Sequence, residues 1–164
     1  MLIGGLAVSI WGEPRSTIDV DLSLWVEESD IHHVVTQIGK RLRPIPPDPI
    51  SFVAELRTLP VTTSNGVRAD LVFATLPGER RAIARAAPKQ INGNQVMVAT
   101  VEDLIWMKLI SERQKDLDDA RRLIRRFAAT LDRGYLEPLL QQLSEAFARS
   151  EILAIYRTTL HNHA

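Results

Sequence analysis

Apolar and polar residues alternate with period two in an early segment of the chain, Ile18–Val26. This period is typical of a β-strand with one buried face. Because side chains of a strand alternate between its two faces, Asp19 and Asp21 fall together on the face opposite the aliphatic residues. The pattern therefore predicts a strand that carries two neighbouring carboxylates.

A second alternating run predicts another strand over Val67–Ala74, where Arg68 and Asp70 share one face. The dipeptide Asn65-Gly66 stands directly before it and is the strongest hairpin signal in the sequence. Asp70 lies in an otherwise apolar run, and a buried carboxylate needs a partner. Either Arg68 is that partner, or Asp70 joins the other two aspartates.

The remaining pattern up to residue 99 predicts shorter elements with turns between them. Pro44, Pro46, Pro47 and Pro49 predict a loop in this region. We expect strands over Leu2–Ile3, Ser51–Ala54, Arg57–Thr62 and Gln95–Ala99, and helices over Leu6–Gly12, Asp30–Leu42 and Glu79–Ala87.

From Thr100 the periodicity becomes helical and predicts one long helix to about Ala128, with Thr100 and Asp103 in a capping-box pattern. At 100° per residue, Arg113 falls within the apolar face and is expected to anchor a buried acid. Four charged side chains fall together on the far side: Lys108, Glu112, Asp116 and Asp119. Either they only form salt bridges with one another, or Lys108 points to solvent and is free to contact a ligand. Gly134 and Pro138 mark a break and the start of the next helix. The fold class is α+β: an α/β core over 1–99, then a helical region over 100–164.

Composition narrows the class of protein. The chain has 164 residues, of which 45% are hydrophobic and 24% charged, as in ordinary globular domains. It contains no cysteine, and no run reaches the roughly 20 apolar residues of a membrane span. We therefore expect a cytoplasmic protein without a membrane partner. The formal net charge is zero, so the whole molecule is no general nucleic-acid binder.

Two carboxylates at i and i+2 repel each other unless a cation lies between them. Hard oxygen ligands favour Mg²⁺. If the strand of Asp70 lies beside that of Asp19 and Asp21, three carboxylates converge as ligands for one or two Mg²⁺ ions that bridge phosphate oxygens.

Two segments carry a resemblance to a known family. Gly4-Gly5-Leu6-Ala7 followed by Arg15-Ser16-Thr17-Ile18-Asp19-Val20-Asp21-Leu22 resembles the signature of the DNA polymerase β-like nucleotidyltransferase superfamily. Lys108 followed by Arg113-Gln114-Lys115-Asp116-Leu117-Asp118-Asp119 is similar to the second motif of its abortive-infection and toxin–antitoxin branch. The resemblance covers about residues 2–125 and implies a mixed nucleotidyltransferase-type sheet with flanking helices.

The resemblance also implies roles for individual residues. Asp19, Asp21, Asp70 and Lys108 would be catalytic, and the three aspartates would hold two Mg²⁺ ions. Gly4 and Gly5 would let the backbone approach the phosphates of a bound nucleoside triphosphate (NTP). The other implied contacts are Arg15, Ser16 and Thr17 in the nucleotide pocket, Lys108 at the triphosphate, and Arg113, Asp116 and Asp119 in support.

The activity implied is transfer of a nucleoside monophosphate from an NTP to a hydroxyl of RNA, tRNA or protein. The protein would then be the toxin of a toxin–antitoxin or abortive-infection system, with a cognate antitoxin as partner. Two alternatives stay open: a small molecule such as an antibiotic as acceptor, or a catalytically inactive binding or regulatory module. The short segment before Gly4 favours the inactive module, because similar proteins place a helix and a full strand before the glycines.

A basic stripe in the long helix consists of Arg121, Arg122, Arg125 and Arg126. It suits a phosphate-rich acceptor such as tRNA. The alternative is a solvated helix face without a ligand.

Overall fold

The computed structural model describes residues 1–12 and 19–161. The strands of this part are β1 Leu2–Ile3, β2 Val20–Trp25, β3 Arg43–Pro44, β4 Thr58–Thr62, β5 Arg68–Ala74, β6 Ala87–Ile91 and β7 Asn94–Val98. The helices are α1 Gly4–Trp11, α2 Ile31–Gly39, α3 Pro49–Leu56, α4 Pro77–Arg85, α5 Val101–Leu109, α6 Gln114–Phe127, α7 Arg133–Ala146 and α8 Glu151–His161.

The described strands form one seven-stranded mixed sheet in the order β3-β4-β5-β2-β1-β7-β6. β2 runs parallel to β5 and β1 runs parallel to β7, whereas the other neighbouring pairs are antiparallel. The predicted hairpin joins β4 to β5, and Gly66 adopts φ +82° in its turn. The α+β class and the mixed sheet are confirmed.

The chain divides into two compact units, and the division falls within α1 and again after Ala99. The sheet unit contains residues 1–7 and 19–99, and the helical unit contains residues 8–12 and 100–161. None of the helices in the described part of the chain is long and apolar enough to cross a membrane.

One face of the sheet unit is covered by α2 and α3. Its buried core consists of Ile31, Val35, Val53, Leu59, Val61, Ala69, Leu71 and Phe73. Val20, Leu22 and Leu24 of β2 pack against this core, so the predicted apolar face of that strand is confirmed. Because side chains alternate, the aspartates of β2 and β5 belong to the opposite face of the sheet.

The prediction of a strand over Ser51–Ala54 is wrong, because this segment lies inside α3. Asp48 caps the helix by accepting a hydrogen bond of 3.1 Å from the backbone N–H of Ser51. Pro49 occupies its first turn, where the missing N–H costs nothing. The helix ends at Leu56, and the next residue, Arg57, has a left-handed φ of +54°. β3 and β6 were not predicted.

The prediction of one helix from Thr100 to Ala128 is also wrong. Thr100 does cap its start, accepting a hydrogen bond of 3.2 Å from the backbone N–H of Asp103. However, α5 ends at Leu109, and α6 begins at Gln114 as a separate helix that packs against α5. The next helix does start near Gly134, as predicted, because α7 begins at Arg133 after the cap Asp132, whereas Pro138 lies inside it.

Candidate functional site

The two strands that carry the predicted carboxylates are direct neighbours. β2 pairs with β5 in parallel, and the register places Asp21 opposite Asp70. On its other side, Asp21 is opposite Ile3 of β1. Both aspartates belong to the sheet face turned away from the α2–α3 core, as does Asp19 two residues before Asp21. The register therefore brings together two of the three predicted carboxylates as cross-strand neighbours.

Gly4 lies against one of these carboxylates. A Cβ atom at this position would be 2.6 Å from Cγ and 2.8 Å from Cβ of Asp21, and closer still to Oδ2. Gly4 also has φ +67°, a conformation that disfavours any residue with a side chain. No larger residue fits here without displacing Asp21. Gly4 and Gly5 are the first residues of α1, whose N-terminal end presents backbone N–H groups and positive dipole charge.

Asp70 has a buried oxygen whose hydrogen-bonding capacity is unused. Its Oδ1 has no hydrogen-bond partner in the described part of the chain. Arg68 is a neighbouring cation, with Nε 3.8 Å from that oxygen, beyond the length of a hydrogen bond. The Arg68 side chain is 54% exposed, so solvent screens this pair. The alternative in which Arg68 fully satisfies Asp70 is therefore weak, and a cation is a chemically suitable partner.

Asp21 and Asp70 suit a Mg²⁺ site with two protein carboxylates, rather than a site in which the protein supplies every ligand. Within residues 1–12 and 19–161, no group of three or more His, Asp or Glu side chains is arranged to hold a metal ion. Mg²⁺ commonly uses only one or two carboxylates and takes its other ligands from water and substrate phosphates. Asp21 and Asp70 supply that number. Metal binding by all three aspartates stays a prediction.

The predicted nucleotide-pocket residues Arg15, Ser16 and Thr17 lie outside the described residues. The predicted second motif lies in the helical unit, where three of its charged side chains, Lys108, Asp116 and Asp119, form a buried cluster. Lys108 is only 8% exposed, and its ammonium forms ion pairs with Asp116 and, at 3.5 Å, with Asp119. The prediction that Lys108 faces solvent is therefore wrong. The break between α5 and α6 folds these acids back onto it.

Arg113 belongs to the same cluster but does not lie on an apolar face. It precedes α6, and its side chain is 68% exposed. Its Nε donates to Asp116 Oδ2 at 2.7 Å, so it does contact a buried acid. Ser111 donates to the same oxygen at 2.8 Å. Lys108 and Arg113 of the second motif, together with Ser111, thus converge on the carboxylate of Asp116.

Burial by itself raises the pKa of Asp116, since it disfavours the charged form. Hydrogen bonds from Lys108 and Ser111, together with the charges of Lys108 and Arg113, outweigh this effect. The net result is a pKa below the ordinary value for aspartate. Asp116 is therefore ionised in the folded protein and holds the start of α6 against the end of α5.

Asp103 has a larger role than the helix cap that the sequence predicts. Its fully buried side chain accepts hydrogen bonds from Trp106 Nε1 at 3.0 Å and from the Tyr135 hydroxyl at 2.6 Å. The hydroxyl of Thr100 donates to its other oxygen at 2.7 Å. The spacing of Asp103 and Trp106, three residues apart on a helix, was the available signal. Tyr135 comes from a distant part of the chain, which the local pattern does not reveal.

No protein-family model matches the chain, and no curated protein sequence matches it significantly. Among solved structures, the chain is similar to an antigenic nucleotidyltransferase-like protein from Paracoccidioides brasiliensis. The TM-score is 0.51 at 20% sequence identity, covering 95% of this chain and 83% of that chain. The chain has a nucleotidyltransferase-like fold. At this identity the likeness concerns the fold, and the site residues rest on the geometry described above.

Proposed function

We propose that the protein is a magnesium-dependent nucleotidyltransferase that moves a nucleoside monophosphate from an NTP to an acceptor hydroxyl. The observation that carries this proposal is the pairing of Asp21 with Asp70 on adjacent parallel strands, with Gly4 against Asp21. Phosphoryl chemistry of this kind depends mainly on positioning and on neutralising charge. The nucleotidyltransferase-like fold supports the proposal.

Each part of this site has a defined task. Gly4 and Gly5 bring the N-terminal backbone of α1 close to the phosphates, where a side chain would obstruct them. Asp21 and Asp70 would hold Mg²⁺, with Asp19 as a third ligand. The proposed site would bind one or two ions. Bound Mg²⁺ would supply neutralisation of phosphate charge.

The reaction forms one bond and breaks another. The acceptor hydroxyl oxygen bonds to the α-phosphorus, the bond to the oxygen bridging the α- and β-phosphates breaks, and pyrophosphate leaves. The hydroxyl proton needs an acceptor, and the unpartnered Oδ1 of Asp70 is a suitable one. A role for Lys108 at the triphosphate stays a prediction, and such a contact would compete with its two carboxylate partners.

The proposal extends to the biological role suggested by the sequence motifs. The acceptor would be RNA, tRNA or protein, and the activity would be that of a toxin in a toxin–antitoxin or abortive-infection system. The toxin would act in the cytoplasm and would be held inactive by a cognate antitoxin. Induced expression of the wild-type chain in bacteria should then arrest growth, whereas the Asp21→Asn variant should not.

Incubation with each α-labelled NTP, Mg²⁺, and total RNA or protein tests the activity. We expect label in the RNA or protein fraction, lost in Asp21→Asn and Asp70→Asn but kept in Asp30→Asn, which changes an exposed aspartate outside the site. Label in a soluble product would instead identify a small-molecule acceptor. No transfer to any acceptor, together with no NTP binding, would refute the enzyme.

A second candidate function is a binding or regulatory module that keeps the fold without turnover. The observation that favours it is the burial of Lys108 in ion pairs with Asp116 and Asp119, which occupy the ammonium that the resemblance assigns to the triphosphate. This candidate predicts NTP binding without label transfer under any of these conditions. The same incubation, combined with an equilibrium NTP-binding measurement, separates the two functions.

A further inference from the structure

The helical unit contains a pocket of about 360 Å³ between the end of α1 and the last turns of α6. Its apolar part is formed by Val8, Gly12 and Leu123. Its charged part is formed by Arg122, Arg125 and Arg126. This volume lies in the range of sites for small ligands or single building blocks of a polymer.

Gly12 helps keep the apolar part open. A Cβ atom built at this position would lie 3.9 Å from Leu123 Cδ2 and 3.1 Å from the Val8 carbonyl oxygen. A larger residue would therefore project toward the leucine that lines the pocket. The pocket combines an apolar floor with a cationic rim. A solvated helix face without a ligand would need the charged residues but no apolar pocket beneath them.

The three arginines of the pocket are not neutralised by the protein. In the part of the chain that the structure describes, Arg122, Arg125 and Arg126 form no ion pair with a carboxylate, whereas Arg121 pairs with Asp118 at 2.9 Å. Arg122 repels Arg125 and Arg126, since side chains three and four positions apart lie side by side on a helix. The helix dipole favours cations at the end of α6, but it does not account for Arg122 one turn earlier.

One of these arginines, Arg126, also lies next to an aromatic side chain. The guanidinium of Arg126 lies 5.9 Å from the centre of the Phe127 ring. Trp11 packs edge to face against Phe127, with 6.0 Å between ring centres. The contact with Phe127 orients the guanidinium plane of Arg126. Guanidinium planes bind phosphates and stack on bases.

We propose that this pocket binds a nucleotide unit of single-stranded RNA. The phosphate would contact Arg122 and Arg126, and the base would lie in the apolar part of the pocket beside Gly12. A single nucleotide has both the negative charge and the planar apolar part that the pocket complements. Binding of RNA here stands by itself, whereas the identification of this RNA as the acceptor rests on the proposed function.

Fluorescence anisotropy with a labelled single-stranded RNA of twelve nucleotides tests the proposal on the full chain. We expect Arg122→Gln combined with Arg126→Gln to weaken binding at least tenfold. The slope of log affinity against log salt should become shallower by about 0.7, since the two arginines hold one phosphate and each single-strand phosphate contact contributes about 0.7. Far-ultraviolet circular dichroism should remain that of the wild type, because both side chains are exposed.

The matched control is Lys40→Gln combined with Lys115→Gln, which removes two exposed positive charges outside the pocket. We expect a change of less than twofold. Equal weakening by both double variants, or no weakening by the pocket variant, would overturn the proposal. Displacement of the RNA by an equal concentration of AMP would also overturn it, because the pocket would then be a site for free nucleotides.

Asp21→Asn distinguishes this proposal from the proposed function. This variant should bind RNA with wild-type affinity. If wild-type protein transfers no label but the arginine pair still governs RNA binding, the proposed function fails and the RNA site stands. If label is transferred but the arginine pair has no effect on RNA binding, the RNA site fails and the proposed function stands.

Discussion

The carboxylate of Asp21 occupies the space that a side chain at Gly4 would need. Backbone and carboxylate approach each other so closely only because residue 4 has no Cβ and can adopt φ +67°. The N-terminal end of α1 is thereby placed against the carboxylate of Asp21, the residue that lies opposite Asp70 in the register of β2 and β5. This relationship links the glycine motif and the aspartate motif in one site.

The variant Gly4→Ala should lose both stability and NTP binding, because its Cβ would collide with Asp21. Gly93→Ala is the matched control: Gly93 has φ +79° but open space around its Cβ position. The control should lose about 1–2 kcal/mol from left-handed strain alone. Urea denaturation of both variants measures the difference, and an equal loss in the two would contradict the close contact with Asp21.

The strands of the site could be predicted from sequence because their faces differ in polarity. Alternation in β2 and β5 identified the buried face and placed Asp19, Asp21 and Asp70 opposite it. Pairing of β2 with β5 could not be derived from the pattern, since both strands would fit several neighbours. The contact of Gly4 with Asp21 depends on that long-range arrangement and has no local signature.

The errors in the helical region have one physical cause. Angles at 100° per residue hold only within an unbroken helix, and the chain breaks between α5 and α6 at residues 110–113. This segment, Ile110-Ser111-Glu112-Arg113, contains neither glycine nor proline, so nothing marked the break. Lys108 and Asp116 were therefore assigned to a solvent face, although they form a buried ion pair.

Lys108→Met should strongly destabilise the protein. The substitution leaves Asp116 and Asp119 without the ammonium that they share, and breaking a buried pair from one side costs about 3–5 kcal/mol. Lys115→Met, at an exposed position of α6, should change the free energy of unfolding by less than about 0.5 kcal/mol. Chemical denaturation compares the two. A similar small effect in both variants would mean that the buried pair contributes little.

Tyr156 should make stability depend on alkaline pH. Burial raises its pKa to about 12, and the charge of Glu137 and its hydrogen bond with the tyrosine add to this effect. An unfolded tyrosine ionises near pH 10. Because the folded state holds this proton more tightly, the contribution is full below pH 10 and is lost as pH rises toward 12. Two pKa units correspond to roughly 2–3 kcal/mol.

Thermal unfolding of the wild type and Tyr156→Phe between pH 9 and pH 12 measures this contribution. The variant removes the ionisable group but keeps the ring in the core. We expect the difference in midpoint between the two proteins to shrink or reverse across this range. A constant difference at every pH would show that Tyr156 ionises alike in the folded and unfolded states.

In the proposed function, Asp21 and Asp70 together hold a divalent cation with an NTP. Electron paramagnetic resonance of Mn²⁺, used in place of Mg²⁺ with a non-hydrolysable NTP analogue, measures that binding directly. We expect bound Mn²⁺ in the wild type and Asp30→Asn, and at least tenfold weaker binding in Asp21→Asn and in Asp70→Asn. Unchanged Mn²⁺ affinity in both site variants would contradict the proposed function.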